Sequence, residues 1–587
     1  MKKYLMMFII IILMTSSTIN VFAQAESVEK FTDIPPGDWS EQYIYKLKEL
    51  NITKGKGNDL FGYNDYITRA EFLTFLIRIL NIDVNNQRIQ EIFTDISATD
   101  WYYKSIIAGL QNSIIFRTEY PENKFEPNKY ITREEMAVMI VRALQYDELA
   151  KLLNKEQTPF RDVKNYKGYI TVAKDLGIIY GKSVDAFAPG QNALRQEAAA
   201  MLVRLYNILN HKLQSLNGFY AIRSYPQIDK MNVFNMMSFG WSRIEFNEQS
   251  GQIELSISLP ASNHPFYIPD GFSKVIEQAE KNNIKKYMMV FGTNQDRIMI
   301  NEENIGLISL LLNNKKNSSY VIEDIVNLVN KTQKDNISVE FDGVVIDFEA
   351  LMDSGDDRNN FISFLSQLKQ ELDKAKKELM VCVHPKREPG QVFFDGYDYK
   401  AIGEIADKVI LMAHDYDPKK LNEEEKESFA GNIPSLAPIK DIYYALRYAI
   451  DPKEGIPKKK LLLQINFDAI QWEFKDGNVI DDAPKHLLYE KVGQYMEDSS
   501  LKDRQMKFSS STQLPYLVFE DENSKKFIWY EDERSIKAKM KIAQMFGIDG
   551  ISVWRLGLVP DFTDLEDQIH PHYLNVWPLF ESITSER

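Results

Sequence analysis

The chain has 587 residues, of which 44% are hydrophobic and 26% are charged, a balance typical of folded protein and not of a disordered chain. Lys and Arg number 70 against 84 Asp and Glu, and the formal net charge of -14 argues against a protein that binds nucleic acid through diffuse positive charge. The single cysteine, Cys382, excludes an intrachain disulfide, and no Cys/His cluster has zinc-site spacing, so we expect neither a metal nor another cofactor.

The amino terminus has the pattern of a secretory signal peptide. Lys2 and Lys3 precede an apolar run from Leu5 to Met14, and the small-residue pattern Ala23-Gln24-Ala25 follows. An uncleaved membrane anchor is the alternative, but about ten apolar residues are too few to span a bilayer. We therefore predict a signal peptide at residues 1–25 and an exported mature chain. Because no second long apolar run follows, we expect no transmembrane segment in that mature chain.

The front third of the sequence repeats itself three times. Each copy opens on a similar tetrapeptide: Phe31-Thr32-Asp33-Ile34, Phe93-Thr94-Asp95-Ile96 and Phe160-Arg161-Asp162-Val163. Later in each copy a second start signal appears, at Thr68-Arg69-Ala70-Glu71, Thr132-Arg133-Glu134-Glu135 and Leu194-Arg195-Gln196-Glu197. Thr followed three residues on by Glu is a capping box, which provides partners for free amides at a helix start. The pattern predicts an all-α module of packed repeats.

These features resemble three S-layer homology (SLH) repeats, which we place at 31–82, 93–144 and 160–209. The resemblance rests on the Phe-Thr-Asp start, on Trp39 and Trp101, and on the Thr-Arg-Ala-Glu type of box. It implies a helical module that binds anionic secondary cell-wall polysaccharide in grooves between repeats. The third copy departs from the pattern, because Leu194 replaces Thr and no Trp follows Asp162, so its groove could be structural only.

The resemblance also implies which residues contact the polymer. The box arginine of the family contacts the acidic sugar, and this role carries over to Arg69, Arg133 and Arg195, with Trp39 and Trp101 beside them. A guanidinium group matches a carboxylate with two parallel hydrogen bonds. The alternative is that these arginines form ion pairs at the helix starts. Because the whole chain is acidic, an acidic polymer must be held by such local sites.

From about residue 217, β-rich runs alternate with helical stretches, which indicates βα units and a parallel sheet. The candidate strands are 218–224, 233–239, 286–291, 339–349, 379–384, 408–414, 461–467 and 550–554. Eight strands are the number in a (β/α)8 TIM barrel, an α/β fold that takes about 250 residues or more. We place the barrel domain at 217–575. The excess length lies at about 468–530, where alternating segments predict a small inserted α+β lobe.

The segment 341–349 places two acids on one face of a strand. Side chains in a strand alternate between faces, so Val345, Asp347 and Glu349 are expected to point into the barrel. Barrel enzymes carry their chemistry at the carboxyl end of the strands, where these acids lie. Burying two acids two residues apart favours a protonated form of one of them, which can act as a general acid. For Asp-x-Glu alone a solvated acidic loop would be the better interpretation.

The same segment resembles glycoside hydrolase family 18, which carries Asp-Gly-x-x-x-Asp-x-Glu on its fourth barrel strand. The stretch Leu411-Met412-Ala413-His414-Asp415 resembles the family's Met-x-Tyr-Asp on strand six, and residues 550–557 resemble its last strand, with Trp554. The stretch 529–532 with Ser535 resembles the branch that contains spore-cortex and peptidoglycan-lytic N-acetylglucosaminidases. The resemblance spans roughly 217–575.

The resemblance implies a role for each matching residue. Glu349 would donate a proton to the glycosidic oxygen and then act as base for water. Asp347 would orient the 2-acetamido group of the substrate, whose carbonyl oxygen attacks the anomeric carbon in a substrate-assisted mechanism. Further substrate-binding residues would be Asp342, His384, Met412, His414, Asp415, Tyr416 and Trp554, with Trp554 stacked beneath the sugar ring. For Trp554 the alternative is core filling, and for His384 it is a structural histidine.

Two positions depart from the family pattern. Val345 stands where chitinases usually place a further Asp. His414 stands where the family's tyrosine would hydrogen-bond the acetamido carbonyl; a neutral imidazole could donate that bond, and Tyr416 is close enough in sequence to replace it.

The sequence therefore predicts a secreted glycosidase, attached to the cell wall or S-layer through its SLH repeats, that hydrolyses β-1,4 bonds beside N-acetylglucosamine in peptidoglycan or a chitin-like glycan. The alternative is a non-catalytic surface-layer or glycan-binding protein on a degenerate family 18 barrel.

Overall fold

The computed structural model describes residues 30–85, 91–155, 158–221, 223–260, 264–334, 336–353, 356–387, 394–427, 433–521, 524–561 and 575–585. The predicted signal peptide lies outside these residues. The chain forms two compact units. The N-terminal unit contains the described residues up to 145 together with 158–173 and 178–206. The second unit contains 146–155, 174–177 and the described residues from 207 onward.

The first third of the chain is helical, as the repeat pattern predicts. Its helices are α1 (Glu41–Glu49), α2 (Arg69–Ile79), α3 (Tyr103–Gln111), α4 (Arg133–Ala143), α5 (Asp147–Leu153), α6 (Lys167–Asp175) and α7 (Arg195–Leu209). Complete capping boxes start α2 at Thr68 and α4 at Thr132, where the Thr hydroxyl and the Glu carboxylate three residues on each accept a backbone N–H. At α7, where Leu194 replaces Thr, only the Glu197 half remains.

A closed ring of backbone hydrogen bonds joins the three repeats. The amide of Ile67 donates to the carbonyl of Ala193 at 3.1 Å, Ile131 donates to Ile67 at 3.1 Å, and Ala193 donates to Ile131 at 2.9 Å. Each of these residues lies two positions before a box arginine. The ring therefore places the three box helices around a common centre and makes the stability of each repeat depend on both of the others.

The second unit contains an eight-stranded barrel. Its strands are β1 (Ser215–Tyr220), β2 (Met236–Asn247), β3 (Gln252–Ser256), β4 (Lys285–Thr293), β5 (Arg297–Ile300), β6 (Glu303–Gly306), β7 (Thr332–Lys334), β8 (Ile337–Val339), β9 (Gly343–Glu349), β10 (Glu378–Val383), β11 (Lys408–Leu411), β12 (Leu461–Asn466), β13 (Ala469–Lys475), β14 (Asn478–Val479), β15 (Lys485–Leu487), β16 (Lys502–Ser509), β17 (Leu514–Asp521), β18 (Ser524–Trp529) and β19 (Gly550–Trp554). Its helices are α8 (Phe272–Lys281), α9 (Leu307–Leu312), α10 (Lys315–Asn330), α11 (Asp357–Lys374), α12 (Tyr399–Ile405), α13 (Glu423–Glu427), α14 (Ile439–Ala449), α15 (Tyr489–Glu497), α16 (Glu533–Phe546) and α17 (Trp577–Thr584).

The barrel closes in the order β1-β2-β4-β9-β10-β11-β12-β19, with β19 returning to β1, and every one of these pairings is parallel. The eight predicted strands are these eight, so the predicted TIM barrel is confirmed. The first strand begins earlier than predicted, at Ser215, because its amino end pairs with Gly550 of β19. Strand β3 and the short hairpins β5–β6 and β7–β8 were not predicted from the sequence.

The barrel interior is filled by side chains from alternate positions of its strands. They include Phe219, Met236, Tyr287, Met289, Phe291, Val345, Met380, Cys382, Ile410, Met412 and Leu462. This packed interior leaves the chemistry to the carboxyl end of the strands, as in other barrels of this type.

The predicted lobe between the last two barrel strands is a six-stranded antiparallel sheet in the order β14-β13-β18-β17-β16, with β15 also paired to β13, and it includes α15. It has its own apolar packing around Trp472 and Trp529 on one side and around Phe519 and Tyr530 on the other. None of the helices among the described residues combines the length and the apolar composition that a membrane span requires.

Candidate active site

Strand β9 presents its two acids to the barrel mouth. Val345 lies in the barrel interior, and Asp347, two positions on, is 3% exposed, whereas Phe348 packs against Phe361 of α11 on the outside. The strand starts at Gly343, where an added Cβ would come within 2.3 Å of the Glu378 carbonyl oxygen of β10, so a larger residue would disturb the pairing. The alternation therefore places Asp347 and Glu349 at the carboxyl end of β9.

The protonation of the two acids is coupled to their burial. Burial raises the pKa of Asp347 above its ordinary range, although the thiol of Cys382 and the charge of His414 oppose this rise. Burial also raises the pKa of Glu349, and the negative charge of Asp347 raises it further. Because both effects act on Glu349, it is the acid of the pair that holds a proton more tightly.

Cys382 lies beside Asp347 on the neighbouring strand. The register of β9 and β10 pairs Ile346 with Val381, so the next inward position on each strand brings the thiol and the carboxylate together. Burial raises the pKa of Cys382 well above its ordinary value, which keeps it a neutral S–H donor. The Oδ1 atom of Asp347 is buried and has no hydrogen-bond partner among the described residues. One oxygen of the Asp347 carboxylate thus lies near the Cys382 thiol, while the other, Oδ1, has no hydrogen-bond donor from the described residues.

The backbone just after the acids is fixed by aromatic and imidazole side chains. The hydroxyl of Tyr397 donates to the carbonyl of Phe348 at 2.7 Å, and the amide of Ala350 donates to Nε2 of His384 at 3.4 Å. Burial lowers the pKa of His384 to about 3, with the charge of His414 adding to this, so its ring is neutral and Nε2 accepts. This geometry favours the structural interpretation of His384.

The predicted site residue His414 is a charged group in the structure. Its Nδ1 lies 3.0 Å from Oδ2 of Asp415, and its Nε2 lies 2.7 Å from Oε1 of Gln464. Burial by itself lowers the pKa of His414, but Asp415 and Gln464 outweigh this effect and raise its pKa to about 9. The expectation of a neutral imidazole that donates to substrate is therefore corrected, because both ring nitrogens already face protein oxygens. The same contact holds the pKa of Asp415 below its usual range against the effect of burial.

Three further polar residues, which were not predicted from the sequence, lie at this end of the barrel. Gln464 and Asn466 occupy successive inward positions of β12 above Leu462, and Asp468 follows the strand. Nδ2 of Asn466 donates to Oδ1 of Asp415 at 3.2 Å and to Oδ2 of Asp468 at 3.3 Å. Burial raises the pKa of Asp468. The alternation of β12 is the signal that could have identified them, since it places both Gln464 and Asn466 inward near the carboxyl end of a barrel strand, where barrel enzymes carry their chemistry.

Trp554, at the end of β19, lies over the barrel interior. It is half-buried, its ring centroid is 5.0 Å from that of Phe219, and Met412 is buried in the same cluster. A cavity of about 360 Å³ opens beside Trp554 and is lined by Ala221, Arg223, Pro265, Phe266, Asp468, Leu488, Arg555 and Leu558. The indole thus contributes both to the core and to an open cavity, which fits a ring platform better than core filling alone.

The remaining predicted substrate contacts differ in position. Tyr416 is half-buried, and the Arg387 guanidinium lies 5.1 Å from its ring centroid. Burial, followed by the charge of Asp441, raises the pKa of Tyr416.

The predicted substrate contact of Asp342 is corrected. Asp342 lies at the amino end of β9, is exposed, and accepts a hydrogen bond from the amide of Lys286. The full length of the strand therefore separates Asp342 from the acids at the other end.

The box arginines of the repeats are buried, which corrects the picture of three arginines free to bind polymer. Each is 3% exposed. Arg69 pairs with Glu135 at 2.6 Å, Arg133 lies 3.5 Å from Glu197, and Arg195 pairs with Glu71 at 2.8 Å. Arg133 also donates to the carbonyls of Phe187 and Tyr180. Each arginine thus contacts the box glutamate of another repeat, and their first role is to join the repeats.

One of these arginines also lines a large groove of the N-terminal unit. A cavity of about 900 Å³ is lined by Asn51, Thr53, Lys54, Gly55, Lys56, Glu71, Phe75, Arg78, Trp101 and Arg195. Trp101 is 63% exposed and Trp39 is 52% exposed. The groove combines an exposed aromatic ring with several cations. Among the described residues, no cluster of three or more His, Cys, Asp or Glu is arranged to hold a metal ion.

Comparison with protein families gives two matches. The profile described as "Glycosyl hydrolases family 18" matches residues 216–558, which is more than half of the chain. The profile described as "S-layer homology domain" matches 30–73, 92–137 and 159–199.

Individual proteins resemble parts of the chain. An amylopullulanase of Thermoanaerobacterium thermosulfurigenes is 33% identical over 188 residues, which are 31% of this chain and 10% of that protein. A cortical fragment-lytic enzyme of Bacillus anthracis is 28% identical over 218 residues, which are 36% of this chain and 45% of that protein. The chain thus spans less than half of the length of either relative.

Two solved structures also resemble part of the chain. The spore cortex-lytic enzyme SleL of Bacillus cereus has 20% sequence identity and a TM-score of 0.46, over 64% of this chain and 75% of that chain. A chitinase from Chromobacterium violaceum ATCC 12472 has 19% identity and a TM-score of 0.45, over 60% of this chain and 98% of that chain.

Proposed function

Because the chain belongs to glycosyl hydrolase family 18 and carries three S-layer homology repeats, we propose that it is a cell-wall-anchored glycosidase that cuts β-1,4 bonds beside N-acetylglucosamine. Its substrate is peptidoglycan or a chitin-like glycan. The observation that carries this proposal is the pair Asp347 and Glu349, which both face the barrel mouth with raised pKa values.

The proposed reaction uses Glu349 first as an acid. Its proton passes to the glycosidic oxygen as the bond from that oxygen to the anomeric carbon breaks, and the acetamido carbonyl oxygen of the substrate forms a bond to the same carbon. Asp347 stabilises the acetamido N–H, which gains positive character in this step. Glu349 then takes a proton from water, and the water oxygen replaces the acetamido oxygen at the anomeric carbon. The configuration is retained, and no protein nucleophile is required.

The surroundings of the pair support these roles. The raised pKa of Glu349 keeps it protonated near neutral pH, as an acid must be before it donates. Oδ1 of Asp347 is buried and has no hydrogen-bond partner among the described residues, so an N–H of the sugar that reached it would supply the missing donor. Trp554 and the cavity beside it provide an apolar face for the ring.

The test of the catalytic assignment is Glu349→Gln, which removes the transferable proton and keeps the shape of the side chain. We expect release of reducing ends from peptidoglycan and from an N-acetylglucosamine oligomer to fall by at least about 10²-fold, since general acid catalysis contributes that much or more. Unfolding temperature serves as the fold control. Turnover equal to that of the wild type would refute the assignment.

For the anchor, we propose that the groove lined by Lys54, Trp101 and Arg195 binds an anionic cell-wall polysaccharide and holds the exported protein at the cell surface. Lys54 is exposed and has no ion pair with any described residue, so it can neutralise a sugar carboxylate. Arg195 also lines this groove while it pairs with Glu71. In this proposal only one of the three box arginines, Arg195, contacts the polymer, whereas the repeat pattern predicts the same contact for all three.

The anchor is tested with wall sacculi that retain their acidic polymer. Replacing Lys54 and Trp101 by Ala should weaken binding to these sacculi and leave hydrolysis of a soluble oligomer unchanged. Lys164→Ala, an exposed lysine outside the groove lining, is the charge-matched control. Undiminished binding by the Lys54 and Trp101 variant would exclude this groove as the anchor.

A further inference from the structure

Gln464 has one end of its amide engaged and the other end open. It faces the barrel interior from β12, the residue is 3% exposed, and Oε1 lies 2.7 Å from Nε2 of His414. Nε2 of Gln464 makes no hydrogen bond with any described residue and is not one of the fully buried polar atoms without a partner, so it keeps some solvent exposure. Gln464 lies two residues before the carboxyl end of β12, so this nitrogen lies at the end of the barrel that carries the two acids.

The charge of His414 decides which end of the amide is open. A protonated imidazole has two N–H donors and no acceptor. Nδ1 of His414 faces the carboxylate of Asp415 at 3.0 Å, so Nε2 must donate to an oxygen of Gln464. An amide turned the other way would place NH2 against N–H. Asp415 thus fixes the charge of His414, and His414 fixes the orientation of Gln464.

We propose that Gln464 contacts the substrate directly and donates a hydrogen bond from Nε2 to the carbonyl oxygen of the 2-acetamido group, with His414 and Asp415 as positioning residues. This inference rests on the proposed function, because the acetamido group is the nucleophile there. His414 itself presents no donor for this role, since Nε2 is bonded to Gln464 and Nδ1 is fully buried 3.0 Å from the carboxylate of Asp415.

The consequence of this contact is positional. The carbonyl oxygen must lie about 3–3.5 Å from the anomeric carbon, in line with the bond that breaks, and a misplacement of about 1 Å costs about 10²-fold in rate. Asp347 holds the N–H side of the acetamido group, and Gln464 holds its oxygen side. Two contacts at opposite ends fix the plane of the group, which one contact alone leaves free to rotate.

Two substitutions test the contribution of the Nε2 donor of Gln464 separately from that of its oxygen. Gln464→Glu keeps an oxygen for His414 and removes the donor, and Gln464→Met removes both polar ends without adding charge. We expect kcat/KM on an N-acetylglucosamine oligomer to fall about 10²-fold in each, mostly through kcat, in the full-length protein. Gln196→Glu is the matched control: this glutamine is equally buried, but both ends of its amide bond to Asn64 in the N-terminal unit, and the substitution should leave hydrolysis unchanged.

The second readout is binding of a thiazoline of N-acetylglucosamine, which mimics the cyclised intermediate. Binding should weaken in both variants by about the factor lost in kcat/KM, which a merely structural role would not produce. Unchanged thiazoline affinity in either variant would overturn the proposal, as would a rate loss confined to Gln464→Glu. Because this binding needs no turnover, it decides the role of Gln464 separately from whether the wild type hydrolyses a given glycan.

Discussion

The guanidinium of Arg69 in the first repeat pairs with the carboxylate of Glu135 in the second repeat at a distance of 2.6 Å. The arginine is almost fully buried, and Glu135 also accepts the amide of Thr132 at the start of its own helix. One glutamate thus caps a helix and joins two repeats. The same relation recurs between Arg195 and Glu71.

We predict that Arg69→Met destabilises the protein through the N-terminal unit. The substitution removes the hydrogen bonds that the buried guanidinium donates to Glu135 and to the Phe125 carbonyl, and the free energy of unfolding should fall by about 2–3 kcal/mol. Chemical denaturation followed by tryptophan fluorescence measures this change. The matched control is Lys46→Met, which breaks the exposed pair with Glu49 and should cost less than about 1 kcal/mol. Equal effects of the two substitutions would contradict a joining role for Arg69.

We predict that Asp347→Asn lowers kcat by about 10²-fold or more and changes KM little. The substituted amide cannot carry the negative charge that stabilises the acetamido N–H, and this charge matters most in the transition state. Steady-state hydrolysis of a fluorogenic N-acetylglucosamine oligomer gives both constants. A rise in KM alone would mean that Asp347 only binds the substrate.

The rate should depend on pH through the coupled acids. Activity needs Asp347 ionised and Glu349 protonated, so it falls at low pH as Asp347 takes a proton and falls at high pH as Glu349 loses one. The midpoints of the acidic and alkaline limbs of the pH–rate profile should both lie above the usual pKa range of carboxylates, because burial raises the pKa values of both acids. In Asp347→Asn the negative charge beside Glu349 is gone, and the alkaline limb should move to lower pH. A limb that stays in place would show that another group sets it.

We predict that Glu349→Gln is more stable than the wild type at neutral pH. The folded-state pKa of Glu349 is raised above its unfolded value, so stability is lost as pH rises from the unfolded pKa towards the folded one. The glutamine has no such dependence, and its advantage at pH 7 should be roughly 1 kcal/mol or more. The advantage should shrink towards pH 4, where the unfolded glutamate also holds its proton. Unfolding curves at the two pH values measure it.

The sequence pattern by itself determined three features: the eight barrel strands, the three repeats, and the inward orientation of the two acids. Alternation along β9 is a local property, and it sufficed to place Asp347 and Glu349 inward and Phe348 outward. The two complete capping boxes could also be predicted from the sequence, because each joins residues that are three positions apart.

Only the tertiary structure decided which of the remaining polar groups meet. Arg69 and Glu135 are 66 residues apart in the sequence, and His414 and Gln464 are 50 residues apart. The first contact therefore forms only when the repeats pack together, and the second only when the barrel closes. The charge of His414 follows from that closure, because an imidazole takes the protonation state that its neighbours stabilise. Asp342 was misplaced for a different reason: it precedes β9, at the amino end of the strand, whereas barrel enzymes carry their chemistry at the carboxyl end.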